Sequence, residues 1–143
     1  MPRYFTLEQA EGILPDIETA LREALSYREK YQQIEKELQG IIERITMAGG
    51  AYVNQEHVSQ LRTSKDAIVQ LLKTRLEEIQ EAGCLIKDLD IGLLDFPTLY
   101  HGEEVYLCWR LGESSITFWH GTNEGFRGRK PIDQEFRDNH RAE

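Results

Sequence analysis

The strongest constraint on this chain is a stripe of apolar residues in its first half. From residue 17 to residue 45, seven of the nine positions in an alternating four-and-three spacing are apolar, namely Ile17, Leu21, Ala24, Tyr31, Leu38, Ile42 and Ile45. This spacing aligns side chains along one side of an α-helix and is typical of coiled coils. Arg28 and Glu35 occupy the other two positions. The pattern predicts a long helix with an apolar side that needs a partner.

Signals for the helix ends surround this stripe. Thr6 and Gln9 have the spacing of a capping box, in which two side chains satisfy the backbone N–H groups at a helix start. Pro15 cannot donate a backbone hydrogen bond, so we expect a short first turn over about residues 7–14 and then a kink or restart.

A second helix is predicted over residues 55–82. Its apolar side consists of Val58, Leu61, Ile68, Leu72, Leu76 and Ile79. The preceding segment, residues 47–54, contains Gly49 and Gly50 and ends at Asn54, a good helix cap, whereas Gly83 is suited to stop the helix. We therefore expect residues 55–82 to fold back antiparallel on residues 16–46.

The length of this hairpin favours self-association. A helix of thirty residues is about 45 Å long, whereas a compact domain of this size has a radius of gyration of about 14–15 Å. Two helices alone do not cover apolar stripes of this width, so we expect a homo-oligomer, with a dimer as the first choice. The alternative is that the carboxy-terminal sheet covers the excess apolar surface of the hairpin.

After Gly83 the apolar period changes from helical to two. The alternation occurs in residues 88–94, 105–111 and 116–120, which predicts three to four short antiparallel strands. The fold class is therefore α+β, a long antiparallel helical hairpin followed by a small antiparallel β-sheet. We expect a single domain over residues 1–143, with the hairpin at 5–82, the sheet at 83–131 and a frayed polar tail at 132–143.

The relative faces of the last two predicted strands depend on the loop between them. If the loop within residues 111–116 has two or four residues, the odd-numbered side chains before it share a face with the even-numbered ones after it. That arrangement places Trp109 and His120 on one face of the sheet and Cys108 and Trp119 on the other. Only an odd-length loop would reverse it. The face of Cys108 is aromatic enough that we expect something to cover it.

Charge and cysteine content exclude some classes of function. The 17 Lys and Arg residues against 25 Asp and Glu residues give a net charge of −8, which disfavours binding to nucleic acids or to anionic membrane surfaces. We find no secretory signal and no apolar run that could span a membrane. The two cysteines, Cys84 and Cys108, do not form a disulfide framework, so the expected location is the cytoplasm.

Three segments of the second half resemble a known bacterial family. They are residues 87–97 (KDLDIGLLDFP), 105–113 (VYLCWRLGE) and 118–121 (FWHG), and the opening segments 4–10 (YFTLEQA) and 14–15 (LP) are similar as well. The sequence resembles domain-of-unknown-function family 2203. The resemblance implies no activity, so no residue inherits a role from it.

Acidic residues near the predicted strands provide one candidate site. The candidates are Asp88, Asp90 and Asp95, with His120 and Glu124 later in the chain, and they could hold a divalent metal ion if the strands bring them together, since mixed histidine and carboxylate ligands suit zinc, manganese or iron. Asp95 has the opposite strand parity from Asp88 and Asp90, so it joins them only if the chain bends near Gly92 or at residues 96–97. The preferred ligand set is therefore Asp88, Asp90, His120 and Glu124. The alternatives are that Asp88 and Asp90 lie on a solvated strand edge and that Asp95 acts as a structural cap. No cofactor is otherwise evident.

A second candidate is Cys108 as a nucleophile beside Arg110. A reactive thiolate needs a nearby cation and usually a base. The expected strand pairing places His120 on the opposite face, so a buried structural Cys108 is the preferred interpretation.

The third candidate is a binding surface for a small anion or a protein partner. It consists of Tyr106, Arg110, Trp119, Arg127 and Arg129. Glycines 121, 125 and 128 would let a ligand approach the backbone, and arginine binds carboxylate or phosphate groups bidentately. The alternative is a loop whose cations neutralise Glu124 and Asp133.

The sequence thus favours an assembly or interaction protein over an enzyme. In this interpretation the hairpin serves self-association and the sheet presents a surface for a small ligand or a partner. The competing hypothesis is a metal-assisted hydrolase that uses the carboxylate and histidine cluster.

Overall fold

The computed structural model describes residues 3–47 and 54–143. These residues belong to two compact units, one formed by residues 22–76 and the other by residues up to 21 together with residues 77–143. Both helices contribute residues to both units. Most of the predicted connection at residues 47–54 lies outside the described part of the chain.

The first helix, α1 (Leu7–Met47), begins at the predicted capping box. The Thr6 N–H donates to Gln9 Oε1 (3.0 Å), and the Gln9 N–H donates to Thr6 Oγ1 (3.1 Å). The predicted break at Pro15 is wrong, because α1 continues through this residue. Pro15 and the residues one turn before it, Glu11 and Gly12, are exposed, so water can bond the backbone carbonyl that loses its partner.

The second helix, α2 (Gln55–Glu81), has both predicted ends. Asn54 Oδ1 accepts the His57 N–H at 3.1 Å, as expected of an N-cap. At the other end Gly83 has φ +98°, its N–H donates to Gln80 O, and the Cys84 N–H donates to Ile79 O. This pair of hydrogen bonds is the Schellman motif, which requires the left-handed conformation that glycine adopts without strain.

Within residues 22–76 the two helices run antiparallel. Three side-chain pairs join them: Arg75 with Glu23, Lys65 with Glu35, and His57 with Glu37. As the residue number increases on α1, it decreases on α2, as the hairpin prediction requires. These contacts confirm the helical hairpin of the expected α+β fold.

The rest of the second half forms a six-stranded antiparallel sheet. Its elements are β1 (Leu85–Asp88), β2 (Leu93–Tyr100), β3 (Glu103–Arg110), β4 (Phe118–Gly121), β5 (Lys130–Pro131) and β6 (His140–Arg141), with a 3₁₀ turn at Phe126–Gly128 and a short helix α3 (Gln134–Asn139). The order is β1-β2-β3-β4-β5, and β6 pairs with the end of β2. The expected three to four strands were too few.

One predicted alternation belongs to a turn rather than a strand. Residues 89–92 connect β1 to β2, with Gly92 at φ +68° and its N–H donating to Leu89 O. Asp88 Oδ1 accepts the Asp90 N–H at 2.9 Å, which is the local hydrogen bond of an Asx turn. Asp88 and Asp90 therefore shape this turn.

The predicted antiparallel pairing of β3 with β4 is present, but the predicted assignment of their faces is wrong, because the connection between them has an odd length. Residues 111–117 join the strands, and the register places Tyr106 opposite His120 and Cys108 opposite Phe118. Even-numbered side chains of both strands therefore share a face. Two hydrogen bonds of Glu113 hold this wide connection in place. Its carbonyl accepts from Trp109 Nε1, and its carboxylate accepts from the Arg110 N–H.

Both faces of the sheet are covered, and a cover was expected for the face of Cys108. The central residues of β2 and β3 are buried without alternation, from Leu93 to Thr98 and from Val105 to Trp109. On one face the Phe5 ring lies edge-on to Phe96, and the Phe5 N–H donates to Pro97 O. The other face carries Asp95, Cys108 and His120.

The expected frayed tail at 132–143 is instead part of this packing. Asp133 caps α3 by accepting the Phe136 N–H, and the Phe136 ring is fully buried against Trp119 and Tyr100. His140 then accepts the Leu7 N–H at its Nε2 atom, at 2.9 Å. The tail was mistaken for a frayed end because it contributes one large apolar ring rather than an apolar pattern.

Neither long helix, over the residues described, contains an apolar stretch that could cross a lipid bilayer.

Candidate functional site

Three buried side chains of different chemistry meet on one face of the sheet. Asp95 of β2 pairs with Cys108 of β3, Cys108 pairs with Phe118 of β4, and His120 lies two residues after Phe118 on the same face. Their ligand atoms all lie within 4.8 Å of one another, and the three residues are at most 2% exposed. In the described part of the chain, no other group of three His, Cys, Asp or Glu residues is arranged to hold a metal ion.

His120 is held from both sides of its ring. Its Nδ1 atom lies 2.8 Å from Gly121 O, and its Nε2 atom lies 2.9 and 3.0 Å from the two carboxylate oxygens of Asp95. A carbonyl oxygen can only accept, so Nδ1 carries a proton and Nε2 is the atom directed at the cluster. Burial opposes a charged ring, but the hydrogen bonds to Asp95 and Gly121 outweigh it and raise the pKa of His120.

Cys108 is a protonated thiol in this environment. Burial, together with the negative charge of Asp95, raises the pKa of Cys108 to about 12. The guanidinium of Arg129 acts in the opposite direction on the pKa of Cys108 but is outweighed. His120 shares the face of Cys108, contrary to the sequence-based expectation, but its ring is paired with Asp95. The geometry therefore supports a buried thiol rather than an activated nucleophile.

Arg129 is fixed beside this cluster. Its guanidinium donates to both carboxylate oxygens of Glu113, at 3.0 and 2.6 Å, and lies 3.9 Å from the centre of the Phe118 ring. Bidentate pairing and ring stacking are the two contacts that favour arginine over lysine. Arg129 therefore already has an anionic partner within the chain.

The residues proposed from sequence as metal ligands do not meet. Asp88 caps the β1–β2 turn, and Asp90 follows it within that turn. Glu124 accepts hydrogen bonds from Lys130 Nζ at 2.6 Å and from the Gly121 N–H at 3.0 Å, and these contacts lower its pKa. The ring of His120 is directed at Asp95 instead. Of the four proposed ligands, only His120 lies in the described three-residue cluster.

Glu124 also fills the space that the loop glycines were expected to offer a ligand. A Cβ atom at Gly121 would lie 2.9 Å from Glu124 Oε1, and one at Gly128 would lie 2.7 Å from Glu124 Oε2. The carboxylate of Glu124 thus occupies the position of an anion between a backbone N–H and Lys130. Gly125 alone of the three has open space at its Cβ position.

The predicted binding surface is divided by the strand register. Tyr106 shares the face of His120, with Lys87 Nζ 4.8 Å from its ring centre, whereas Trp119 lies on the opposite face against Phe136. The aromatic residues thus belong to two different surfaces. Arg110 and Arg127 remain exposed, and the Arg110 guanidinium lies 5.4 Å from the Phe126 ring centre.

The helical hairpin presents a different kind of surface. Among the described residues of 22–76, Ala24 alone is buried, and the apolar stripe is half-buried or exposed. Ile42 is 53% exposed. A groove of about 590 Å³ between the helices is lined by apolar and charged side chains, among them Leu38, Ile41, Ile42, Ile45, Val58, Glu35, Arg62, Lys65 and Asp66.

Sequence reasoning considered Asp95 as a ligand but left it out of the preferred set, because its strand parity differs from that of Asp88 and Asp90. A usable signal was present, because Asp95 is the one charged residue between Gly92 and Tyr100. Charged residues are rarely buried without a partner. The partners themselves could not be found without the correct register.

The chain is thus an α+β protein with a helical hairpin and a sheet that encloses an Asp–Cys–His cluster. Residues 3–132 match the model of a family described as an uncharacterized conserved protein, DUF2203, which confirms the resemblance. Because the match covers most of the chain, the protein belongs to this family. No curated protein and no solved structure matches it significantly.

Proposed function

We propose that this protein is a self-assembling interaction protein whose hairpin pairs with the hairpin of a second copy. The observation that carries the proposal is the unburied apolar stripe along residues 22–76. Helices of globular proteins gain most of their stability from packing an apolar side, and burial contributes about 25 cal/mol per Å² of apolar surface. The exposed Ile42 and half-buried Ile45 lie where such a partner would pack.

The chemistry of the groove favours a second copy as the partner. Its lining combines apolar side chains with charges of both signs, Glu35 and Asp66 against Arg62 and Lys65. An interface around a twofold axis places the same surface on both sides, so a lining with mixed charge can pair with itself. A strongly basic or acidic partner would meet repulsion from half of these charges.

Sedimentation velocity of the full chain over a hundredfold range of concentration tests this proposal. We expect a dimer that dissociates on dilution and a melting temperature that rises with concentration, because association stabilises the folded state by mass action. Ile42→Glu should give a monomer, since it places a charge among the apolar side chains that line the groove.

Leu71→Glu is the matched control. Leu71 is 42% exposed and also apolar, but it does not line the groove, so this variant should remain dimeric. A wild-type chain that is monomeric at all concentrations would contradict the proposal. Equal dissociation of both variants would contradict the assignment of the interface to the groove.

The second part of the proposal concerns the loop beside the sheet. Arg110 and Arg127, next to the partly exposed Phe126, form a cationic and aromatic surface that suits an acidic partner or a small anion. Titration of the wild type and of the Arg110→Ala/Arg127→Ala double variant with inorganic phosphate, followed by NMR, tests it. Equal binding by both proteins would contradict this role.

We also propose a cytoplasmic location. Both cysteines are free and buried, which suits a reducing compartment. Fractionation of cells that express the tagged full chain is the corresponding test, and recovery outside the cytoplasm would contradict it.

A further inference from the structure

The cluster on the sheet has the composition of a transition-metal site. Asp95, Cys108 and His120 offer one oxygen, one sulfur and one nitrogen atom, all within 4.8 Å of one another. Mixed ligands of this kind suit Zn²⁺ and related first-row ions, whereas Mg²⁺ and Ca²⁺ prefer oxygen ligands alone. The three residues come from adjacent central strands, which fix their backbone positions.

The surroundings of the cluster match those of metal-bound side chains. A histidine ligand usually donates its other ring N–H to a carbonyl or carboxylate, which orients the metal-binding nitrogen. Here His120 Nδ1 bonds Gly121 O at 2.8 Å, and Nε2 is directed at Asp95. The positive charge of Arg129, which Glu113 holds in place, favours the thiolate form of Cys108.

The burial of Asp95 gives an independent reason to expect a ligand. This carboxylate is 0% exposed, and it shares one histidine N–H between its two oxygens. A carboxylate has about four acceptor positions, so one histidine N–H uses only part of the acceptor capacity of this buried group. A divalent cation would satisfy this capacity and the sulfur together.

We propose that Asp95, Cys108 and His120 bind one divalent transition-metal ion, with zinc as the best fit. Binding releases two protons, one from the Cys108 thiol and one from His120 Nε2. Zinc is usually four-coordinate, so these three residues leave one coordination position open. The charges then balance, since two positive charges on the metal meet one carboxylate and one thiolate. This inference concerns the sheet and is independent of hairpin assembly.

Reconstitution of the full chain tests the site. The protein is unfolded with a chelator, refolded with ZnCl₂, passed through gel filtration and analysed by elemental mass spectrometry. We expect about one zinc per chain in the wild type, and at least a tenfold lower content in Asp95→Asn, Cys108→Ala and His120→Gln. Cys84→Ala, which removes the other buried cysteine, is the control and should keep its zinc.

Cobalt supplies a measurement on the wild type alone, in case a variant does not fold. Refolding with CoCl₂ should give a near-ultraviolet charge-transfer band, because a thiolate bonded to Co²⁺ absorbs there, and this band identifies the cysteine as a ligand. Wild-type protein that retains neither metal would overturn the proposal. Loss of zinc from Cys84→Ala to the same extent would overturn the assignment of the ligands to this trio.

Discussion

The imidazole of His120 and the carboxylate of Asp95 form a buried ion pair across two strands that are not neighbours. His120 Nε2 lies 2.9 Å from Asp95 Oδ1, and the two side chains are 3% and 0% exposed. Cys108 lies on the strand between them. The strand register thus brings together three polar groups that are distant in sequence, since Asp95 and Cys108 are 13 positions apart and Cys108 and His120 are 12 positions apart.

Removal of either partner should strongly destabilise the metal-free protein. A buried charge that loses its partner costs about 3–5 kcal/mol, so we expect urea unfolding in chelator to show losses of this size for His120→Ala and for Asp95→Ala. The double variant should cost clearly less than the two single losses combined. Additive losses would show that the pair does not interact. His57→Ala, which removes an exposed pair with Glu37, should change stability little.

The cysteines should be unreactive in the folded protein. Burial raises the pKa of both thiols, that of Cys108 to about 12, so at pH 8 only about one Cys108 in ten thousand is a thiolate. A disulfide reagent added to chelator-treated protein should therefore titrate no thiol in buffer and both in urea. Modification of Cys108 within minutes in buffer would support the nucleophile that the geometry disfavours.

Phe136 should anchor the tail. Its ring is fully buried and stacks on Trp119 at a centroid distance of 4.9 Å, so Phe136→Ala should cost about 3–5 kcal/mol and alter tryptophan fluorescence. Arg137→Ala is the neighbouring control, since Arg137 is exposed. A tail that frays in solution would instead leave both variants with wild-type stability.

Gly92 should tolerate a side chain less well than Gly102. Both have positive φ, +68° and +79°, so alanine strains the backbone at either position by about 1 kcal/mol. A Cβ atom at Gly92 would also lie 2.6 Å from Leu111 Cβ, whereas nothing lies within 4 Å at Gly102. Thermal unfolding should therefore rank Gly92→Ala below Gly102→Ala. Equal melting temperatures would show that Leu111 moves away at no cost.

Local signals were enough to place much of the fold. The capping residues Thr6, Gln9 and Asn54 and the stop at Gly83 act through hydrogen bonds to residues within one turn, so their spacing along the chain determines their role. The effect of Pro15 on the helix was predicted wrongly, because it depends on whether water can reach the backbone carbonyl that Pro15 leaves without a hydrogen-bond donor. The turn at residues 89–92 was mistaken for a strand because its apolar residues alternate by chance.

The candidate site was less accessible to sequence reasoning. His120 was recognised as a possible ligand, but Asp88, Asp90 and Glu124 were grouped with it only because they are acidic and lie near predicted strands. Asp88 and Glu124 instead satisfy backbone N–H groups in their own turns. Asp95 was set aside because of its strand parity, and its real neighbours on β3 and β4 depend on pairings between distant segments.

Periodicity along the chain was enough to predict the helical hairpin, the α+β class and the apolar stripe, because helix and strand periods repeat over a few residues. Which strand faces coincide followed only from the folded register. A shift of one residue in a connection moves every side chain of a strand to the other face. The seven residues 111–117, held open by the bonds of Glu113 to Trp109 and Arg110, made that shift and placed His120 beside Asp95 and Cys108.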